Sequence, residues 1–337
     1  YPRMEIIVVD DGSSDGMSEV AHEFACQHVG VLVLRKPHRG GKSSALNFAL
    51  PFTSAEVVIC VDTDSHLGPS AIWEIVQPLA DPRVAGVSGT VILRNAFTNL
   101  CTWCQALEYL RNIFIGRRTA AQLGVLGIVS GAFGAFRRSA LARLGGWDVG
   151  PGEDGDLVLR LRKQGFRIAF APYAQCYTNA PTNFLRLFKQ RRRWEWSVVT
   201  FECRKHVDMG SPFASTFSWS NLALLVDRWL FNVILLYAAI VYVPCLAWQR
   251  AGEVGYVFLT QYVAYILIEL VLVGVILYYS LDRWRDLKIA FVVPLMPLYA
   301  LFIKAASAVA VTEELLTRRS FRDNFVPPHV REATWHW

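Results

Sequence analysis

Carboxylates recur in this 337-residue chain at the ends of short apolar runs: Asp10-Asp11-Gly12-Ser13-Ser14, then Asp62-Thr63-Asp64, then Gly152-Glu153-Asp154-Gly155-Asp156. Each cluster admits a structural and a chemical reading. Asp10 and Asp11 leave a strand-like run into a Gly- and Ser-containing turn, which is either an ordinary acidic turn or a ligand loop. Asp62 and Asp64 are two residues apart, so on a strand their side chains share a face and both can reach one hard cation. Mg2+ or Mn2+ held by one or two carboxylates keeps coordination sites free for phosphate oxygens. Glu153, Asp154 and Asp156 open a helix, where negative charge favours the N-terminus. One of them either caps that helix or serves as a general base toward an attacking hydroxyl.

A fourth cluster, Gln190-Arg191-Arg192-Arg193-Trp194, lies in a stretch whose Phe184, Leu187, Phe188, Trp194, Val198 and Phe201 fall near one helical face. That pattern predicts an amphipathic interfacial helix, in which lipid contact accounts for Arg191 and Trp196. The net charge of +6 is concentrated here and at Arg318, Arg319 and Arg322, beside apolar segments. Basic clusters so placed meet anionic lipid headgroups, and the chain carries no nucleic-acid module. The seven cysteines are odd in number and scattered, which fits a reducing compartment and two helical thiols at Cys101 and Cys104 rather than a zinc site.

Positioning these clusters requires strands that end in them. Residues 5–9, 31–34, 57–61, 84–93 and 167–171 are rich in β-branched and apolar residues and read as strands. Helical periodicity covers 18–27, 42–51, 69–79 and 156–164 between them. The alternation predicts an α/β domain over 1–180 with a mostly parallel sheet and ligands at the strands' carboxyl ends. Interfacial helices follow over 181–220, then a membrane region and tail over 221–337.

Apolar segments at 227–248, 256–279 and 289–311 are each long enough to cross a hydrocarbon core of about 30 Å. Pro294, Pro297 and Lys304 interrupt the third, so a broken or re-entrant segment competes with a full crossing. Arg283, Arg285 and Lys288 after the second segment place that loop, and with it the α/β domain, on the cytoplasmic side. Three crossings then leave the C-terminal arginines outside, against the positive-inside tendency. Either the third segment does not cross or the tail is an exception.

In this order, Asp10-Asp11-Gly12, Asp62-Thr63-Asp64, Gly152-Glu153-Asp154 and Gln190-x-x-Arg193-Trp194, followed by membrane segments, resemble the processive family 2 glycosyltransferases, the synthases of cellulose, chitin, hyaluronan and poly-N-acetylglucosamine. The resemblance implies a GT-A-like (Rossmann-like) domain in an inner or plasma membrane protein. It implies an inverting enzyme that takes a UDP-sugar donor, uses Mg2+ or Mn2+, extends a polysaccharide acceptor and passes it into a membrane channel. It assigns Asp11 to the uridine end of the donor with Asp10 beside it, Asp62 and Asp64 to phosphates and metal, and Asp154 to the base with Glu153 beside it. Arg193 goes to the diphosphate, Gln190 to positioning, Trp194 to the acceptor sugar, and Lys42 of Gly40-Gly41-Lys42-Ser43 to the donor. Gly41-Lys42-Ser43 and Ser130-Gly131-Ala132-Phe133 look closer to N-acetylglucosamine polymer synthases than to cellulose synthases. The family places a strand and helix, often with one or two spans, ahead of the Asp10-Asp11 strand. The expectation is therefore that an N-terminal segment or an accessory membrane subunit completes the uridine pocket. Two other readings compete: a non-processive enzyme that loads one sugar on a lipid carrier, and a transporter or scaffold with a vestigial domain.

Overall fold

A computed structural model describes residues 1–148, 152–322 and 326–334. The tail positions 323–325 and 335–337, assigned above to the membrane region, lie outside the described residues. Elements run in the order β1 (Ile6–Asp10), α1 (Met17–Gln27), β2 (Val31–Arg35), α2 (Lys42–Ala49), β3 (Val57–Val61), β4 (His66–Leu67), α3 (Ala71–Val76), β5 (Val84–Leu93), α4 (Leu100–Tyr109) and α5 (Arg117–Gln122). Next come β6 (Phe133–Arg137), α6 (Arg138–Leu144), α7 (Glu153–Lys163), β7 (Arg167–Thr178) and α8 (Phe184–Thr200). The chain continues through α9 (Trp219–Trp229), α10 (Leu235–Gln249), α11 (Ala251–Tyr279), α12 (Arg283–Ala290), α13 (Met296–Thr317) and α14 (Pro328–Thr334).

The main sheet has the order β3-β6-β5-β7-β4, and β1 and β2 form a separate parallel pair. β5 and β7 run parallel, whereas β6 is antiparallel to both β3 and β5, and β4 is antiparallel to β7. The sheet is thus mixed where a mostly parallel one is expected. The cause is the long α4–α5 excursion, which returns the chain to the sheet through β6 instead of a right-handed helical crossover. β5 is buried along its whole length, as a central strand covered on both faces must be. Ala71, Ile75 and Leu79 cover one face together with Val87, Phe133 and Cys176. Leu141, Leu157, Val158 and Leu161 pack with Ala85, Phe136 and Ile168 in a second cluster. Each buried leucine contributes about 2 kcal/mol. Gly89 has to be glycine, because a Cβ there would sit 2.3 Å from the Phe133 ring.

Three helical stretches are long and apolar enough to cross a membrane: Trp219–Gln249, Ala251–Tyr279 and Val293–Thr317. The third, read above as 289–311, is interrupted near its start, because α12 ends at Ala290 and α13 begins at Met296, and from there it runs unbroken to Thr317. Pro294 lies in the short 3-10 turn Val293–Leu295, and Pro297 lies in the first turn of α13, where a missing N–H costs nothing. α4 connects the two halves. Asn99 caps it by accepting from the Thr102 amide at 3.1 Å, and its buried Cys101, Cys104 and Leu107 pack with Val273, Ile289 and Met296. Several charged groups buried among these helices are paired, as a low-dielectric setting favours. Glu108 of α4 accepts from Arg191 at 2.8 Å and from the Tyr299 hydroxyl at 2.5 Å, and Arg111 pairs with Glu269.

α8 is capped by Asn183 and packs along α13. It is therefore more than a lipid-facing helix. Arg191 and Trp196, attributed above to lipid, are held inside: Arg191 by Glu108, and Trp196 at 3% exposure beneath the Arg192 guanidinium.

Candidate active site

The carboxyl ends of β1 and β3 and the start of α7 converge through one lysine and one glycine loop. Lys42, the first residue of α2, donates from Nζ to Asp62 Oδ1 at 2.5 Å and to the Gly131 carbonyl at 2.9 Å, and lies 3.8 Å from Glu153 Oε1. The Gly131 amide donates to Asp154 Oδ2 at 3.0 Å. Gly131 therefore serves the lysine with its carbonyl and the carboxylate with its amide. A Cβ at this position would lie 3.1 Å from Lys42 Nζ and 3.2 Å from Asp154 Oδ2. The loop is braced from below, since Ser88 Oγ accepts from the Ser130 amide at 3.1 Å and from Arg117 Nη1 at 2.9 Å. Asp62 is fixed by its own amide, which donates to the Ala132 carbonyl at 3.2 Å.

Asp10 and Asp11 hold the neighbouring turn. Asp10 accepts from the Ser13 amide at 2.8 Å, and that bond holds its carboxyl below the ordinary range against the opposing effect of burial. Asp11 accepts from the Gly40 and Gly41 amides at 3.0 and 2.6 Å and pairs with Lys36. These bonds set the backbone immediately before Lys42. Asp64 is exposed, and its one recorded side-chain bond is from the Ser65 hydroxyl at 3.4 Å.

Three acidic side chains in the first turn of α7 meet different surroundings. Glu153 is 7% exposed, and burial, reinforced by Asp154, pushes its carboxyl up to about 7 although Lys42 opposes the shift. Asp154 Oδ1 accepts from the Gly155 amide at 2.8 Å, leaving the carboxylate between that amide and Gly131. Asp156 is fully buried and meets Arg160 Nε at 2.7 Å, Lys205 Nζ at 2.7 Å and His206 Nε2 at 2.8 Å. Burial alone would raise its carboxyl, but these partners, His206 foremost, hold it well below the usual range. The Lys42 ammonium is driven upward as well, because Asp62 and Glu153 outweigh its burial.

α8 meets the start of α7 at Gly152, which adopts φ +83° and where a Cβ would lie 2.5 Å from Ser197 Cβ. Ser197 Oγ in turn donates to the Trp194 carbonyl at 2.6 Å. Trp194 is 44% exposed and shares one ring face with the Arg191 guanidinium at 4.4 Å. Gln190 Oε1 is buried without a hydrogen-bond partner among the described residues. Arg193 lies partly buried on the same helix.

The structure thus brings Lys42, Asp62, Glu153 and Asp154 into one cluster. Asp10 and Asp11 stand behind it in the loop before Lys42, and Gln190, Arg193 and Trp194 belong to the helix that abuts it. Sequence reasoning missed the supporting role of Gly131, Ser88 and Arg117, and the Asp156–Lys205–His206 network. The signal for Gly131 was there to be read in Ser130-Gly131-Ala132, a glycine immediately ahead of a strand.

Among the described residues no group of three or more His, Cys, Asp or Glu side chains forms a cage. Asp62 and Asp64 offer two hard carboxylates, one already engaged by a cation, which suits an ion that takes its remaining ligands from phosphate oxygens. The residues present therefore fit Mg2+ or Mn2+ held jointly with a donor.

A family model described as "Glycosyltransferase like family 2" matches residues 1–197. Poly-beta-1,6-N-acetyl-D-glucosamine synthase of Staphylococcus epidermidis is 32% identical over 196 residues, 58% of this chain and 47% of that protein. The Staphylococcus aureus synthase is 31% identical over the same share. The chain thus matches about half the length of these curated relatives. Among solved structures, a Pyrobaculum calidifontis mannosyltransferase in complex with GDP-Man and Mn2+ superposes with a TM-score of 0.65 at 20% identity, covering 93% of this chain and 78% of that one. The fold is accordingly GT-A-like, followed by helices able to span a membrane.

Proposed function

The chain belongs to the family 2 glycosyltransferases, and on that premise we propose that it is an inverting, metal-dependent, processive β-glycosyltransferase. It transfers a sugar from a UDP-sugar to the non-reducing end of a growing polysaccharide and feeds the product into a membrane channel. The observation that carries this reading is the convergence of Lys42, Asp62, Gly131, Glu153 and Asp154 at the carboxyl end of the sheet. A cation bridging two carboxylate groups marks a place where a charged leaving group can be neutralised, and a carboxylate beside it can take a hydroxyl proton.

Asp62 and Asp64 would hold Mg2+ or Mn2+, which when bound supplies electrostatic stabilisation of the departing diphosphate. Lys42 and Arg193 add positive charge on the donor side, and Asp10 and Asp11 shape the loop that receives the nucleoside. Asp154 accepts the acceptor proton at its carboxylate, with Glu153 beside it. Gln190 offers a buried acceptor to a sugar hydroxyl, and the free face of Trp194 stacks on the acceptor ring without a fixed hydrogen-bond register, which suits a terminus that advances after each addition. The catalytic domain faces the cytoplasm of an inner or plasma membrane, and an N-terminal segment or accessory membrane subunit completes the donor pocket. The similarity to poly-N-acetylglucosamine synthases favours UDP-N-acetylglucosamine.

Membranes carrying the protein are incubated with labelled UDP-sugars and Mn2+ or Mg2+, and the products are sized and digested with glycosidases. One UDP-sugar should yield polymer, and EDTA should abolish it. Trp194→Ala should retain UDP release at normal expression while polymer is lost. A single sugar on lipid as the sole product would replace this reading with lipid-carrier loading.

A further inference from the structure

A separate cavity of about 430 Å3 lies at the opposite end of α7. Eleven residues of helix put it about 15 Å from Glu153. Its walls include Arg162 and Lys163 from the last turn of α7, Arg167 at the start of β7, and Thr216, Ser218 and Ser220 from the segment that opens α9. Three cations line it, and none of the lining residues is acidic.

Arg162 is the decisive residue. It is 6% exposed, yet its guanidinium donates only to neutral acceptors: Asn221 Oδ1 at 2.9 Å, the Gly124 and Leu126 carbonyls at 2.9 and 3.2 Å, and Ser220 Oγ at 3.2 Å. Those four bonds leave one of its five N–H groups over. Burial without a counter-ion pulls its pKa down to about 10. Lys163 pairs with Asp208 at 2.6 Å. Arg167 is exposed and makes no ion pair within 4 Å among the described residues. Thr216 Oγ1 is buried without a hydrogen-bond partner among the described residues. A buried, uncompensated guanidinium costs stability that an apolar residue of its size would not, and here it stands beside a second cation, the Thr216 hydroxyl and open volume.

We propose that this cavity binds a phosphate-type oxyanion, with Arg162, Arg167 and Lys163 supplying the charge and Thr216, Ser218 and Ser220 supplying hydroxyls. Planar guanidinium forks match phosphate oxygens. The cavity sits at the foot of the first candidate span, Trp219–Gln249, and both Trp219 and Phe213 beside it are largely exposed. A phospholipid headgroup can therefore reach the cavity from an interface, and a free phosphate can reach it from water.

The two sources separate in one experiment. The whole protein, purified in detergent and stripped of divalent ions with EDTA, is titrated with inorganic phosphate and, separately, with dihexanoyl phosphatidic acid, using dihexanoyl phosphatidylcholine as control. Melting temperature and tryptophan fluorescence are read. A saturable rise in melting temperature with phosphate identifies a soluble anion, and a rise with phosphatidic acid alone identifies a lipid. In the double variant Lys163→Gln/Arg167→Gln, which keeps the buried Arg162 in place, affinity should fall about tenfold or more, the scale of one charge-assisted hydrogen bond. No saturable response to either anion, or an unchanged affinity in the double variant, overturns the proposal.

Discussion

Two ends of a single helical turn treat the same chemical group in opposite ways. Glu153 and Asp154 meet one lysine and a glycine loop, whereas Asp156, two residues further on, is enclosed by Arg160, Lys205 and His206. Glu153 is under-neutralised and Asp156 is over-neutralised. Asp156 cannot take a proton at neutral pH while three nitrogen donors, at least two of them cationic, hold it ionised. Glu153, three positions earlier, has the opposite setting: burial and the neighbouring Asp154 raise its carboxyl, and Lys42 only partly opposes them. The contrast separates chemistry from architecture within four residues.

The largest effect expected from breaking the contrast is on turnover. Asp154→Asn should lower sugar transfer by roughly 100-fold or more, the usual scale for removing a general base, with UDP-sugar affinity nearly unchanged. Isothermal titration alongside single-turnover kinetics checks this, and a parallel fall in affinity and rate would move Asp154 to the structural side of the comparison.

Asp156→Asn should act through folding. Removing one member of a buried ionic network costs about 3 kcal/mol, because Arg160 and His206 lose their acidic partner while Lys205 still pairs with Asp148 at 2.6 Å. Thermal unfolding in detergent should show a lower melting temperature, with donor affinity per folded molecule preserved. The wild-type contribution is present above the ordinary aspartate pKa and lost as pH falls through the lowered folded value. The deficit of the variant should therefore shrink only in strong acid. A variant that melts like wild type at neutral pH would sink the architectural role.

The smallest effect sharpens the other side. The Glu153 carboxyl is raised in the folded protein to about 7, above the ordinary glutamate value of 4.5. Its stabilising contribution is thus full below about 4.5 and lost as pH rises through about 7. In metal-free protein the melting temperature of Glu153→Gln relative to wild type should climb by a few degrees between pH 5 and pH 8. An equal difference at both pH values would mean that Glu153 titrates normally.

Much of the fold was legible because strands ending in carboxylates and long apolar segments leave periodic signals. β1, β2, β3 and β5 fall within a residue of the stretches read from the sequence, and α1 and α2 begin within a residue of theirs. β6 was not read. Phe133-Gly134-Ala135-Phe136 carries two small residues and no alternation of polar and apolar side chains, and its strand character comes from β3 and β5 on either side. β7 extends to Thr178, beyond the run read from the sequence, because β5 pairs it across an irregularity near Gly89. The prolines of the third apolar segment mark a boundary: the stretch read as 289–311 is interrupted between Ala290 and Met296, and Pro297 then falls in the first turn of α13, where a proline is tolerated, rather than in a helix interior.

By itself the sequence determined which side chains could do chemistry and in what order they occur: Asp62 and Asp64 at the end of a strand, Glu153 and Asp154 at the start of a helix, Gln190 to Trp194 on an amphipathic helix, and apolar segments after them. Only the tertiary structure decided which carboxylates are left for a substrate. Lys42 reaches Glu153 from 111 positions away, and Lys205 and His206 reach Asp156 from about 50. Charge state follows from burial and from neighbours within a few ångströms, and those neighbours come from distant parts of the chain that only the fold brings together.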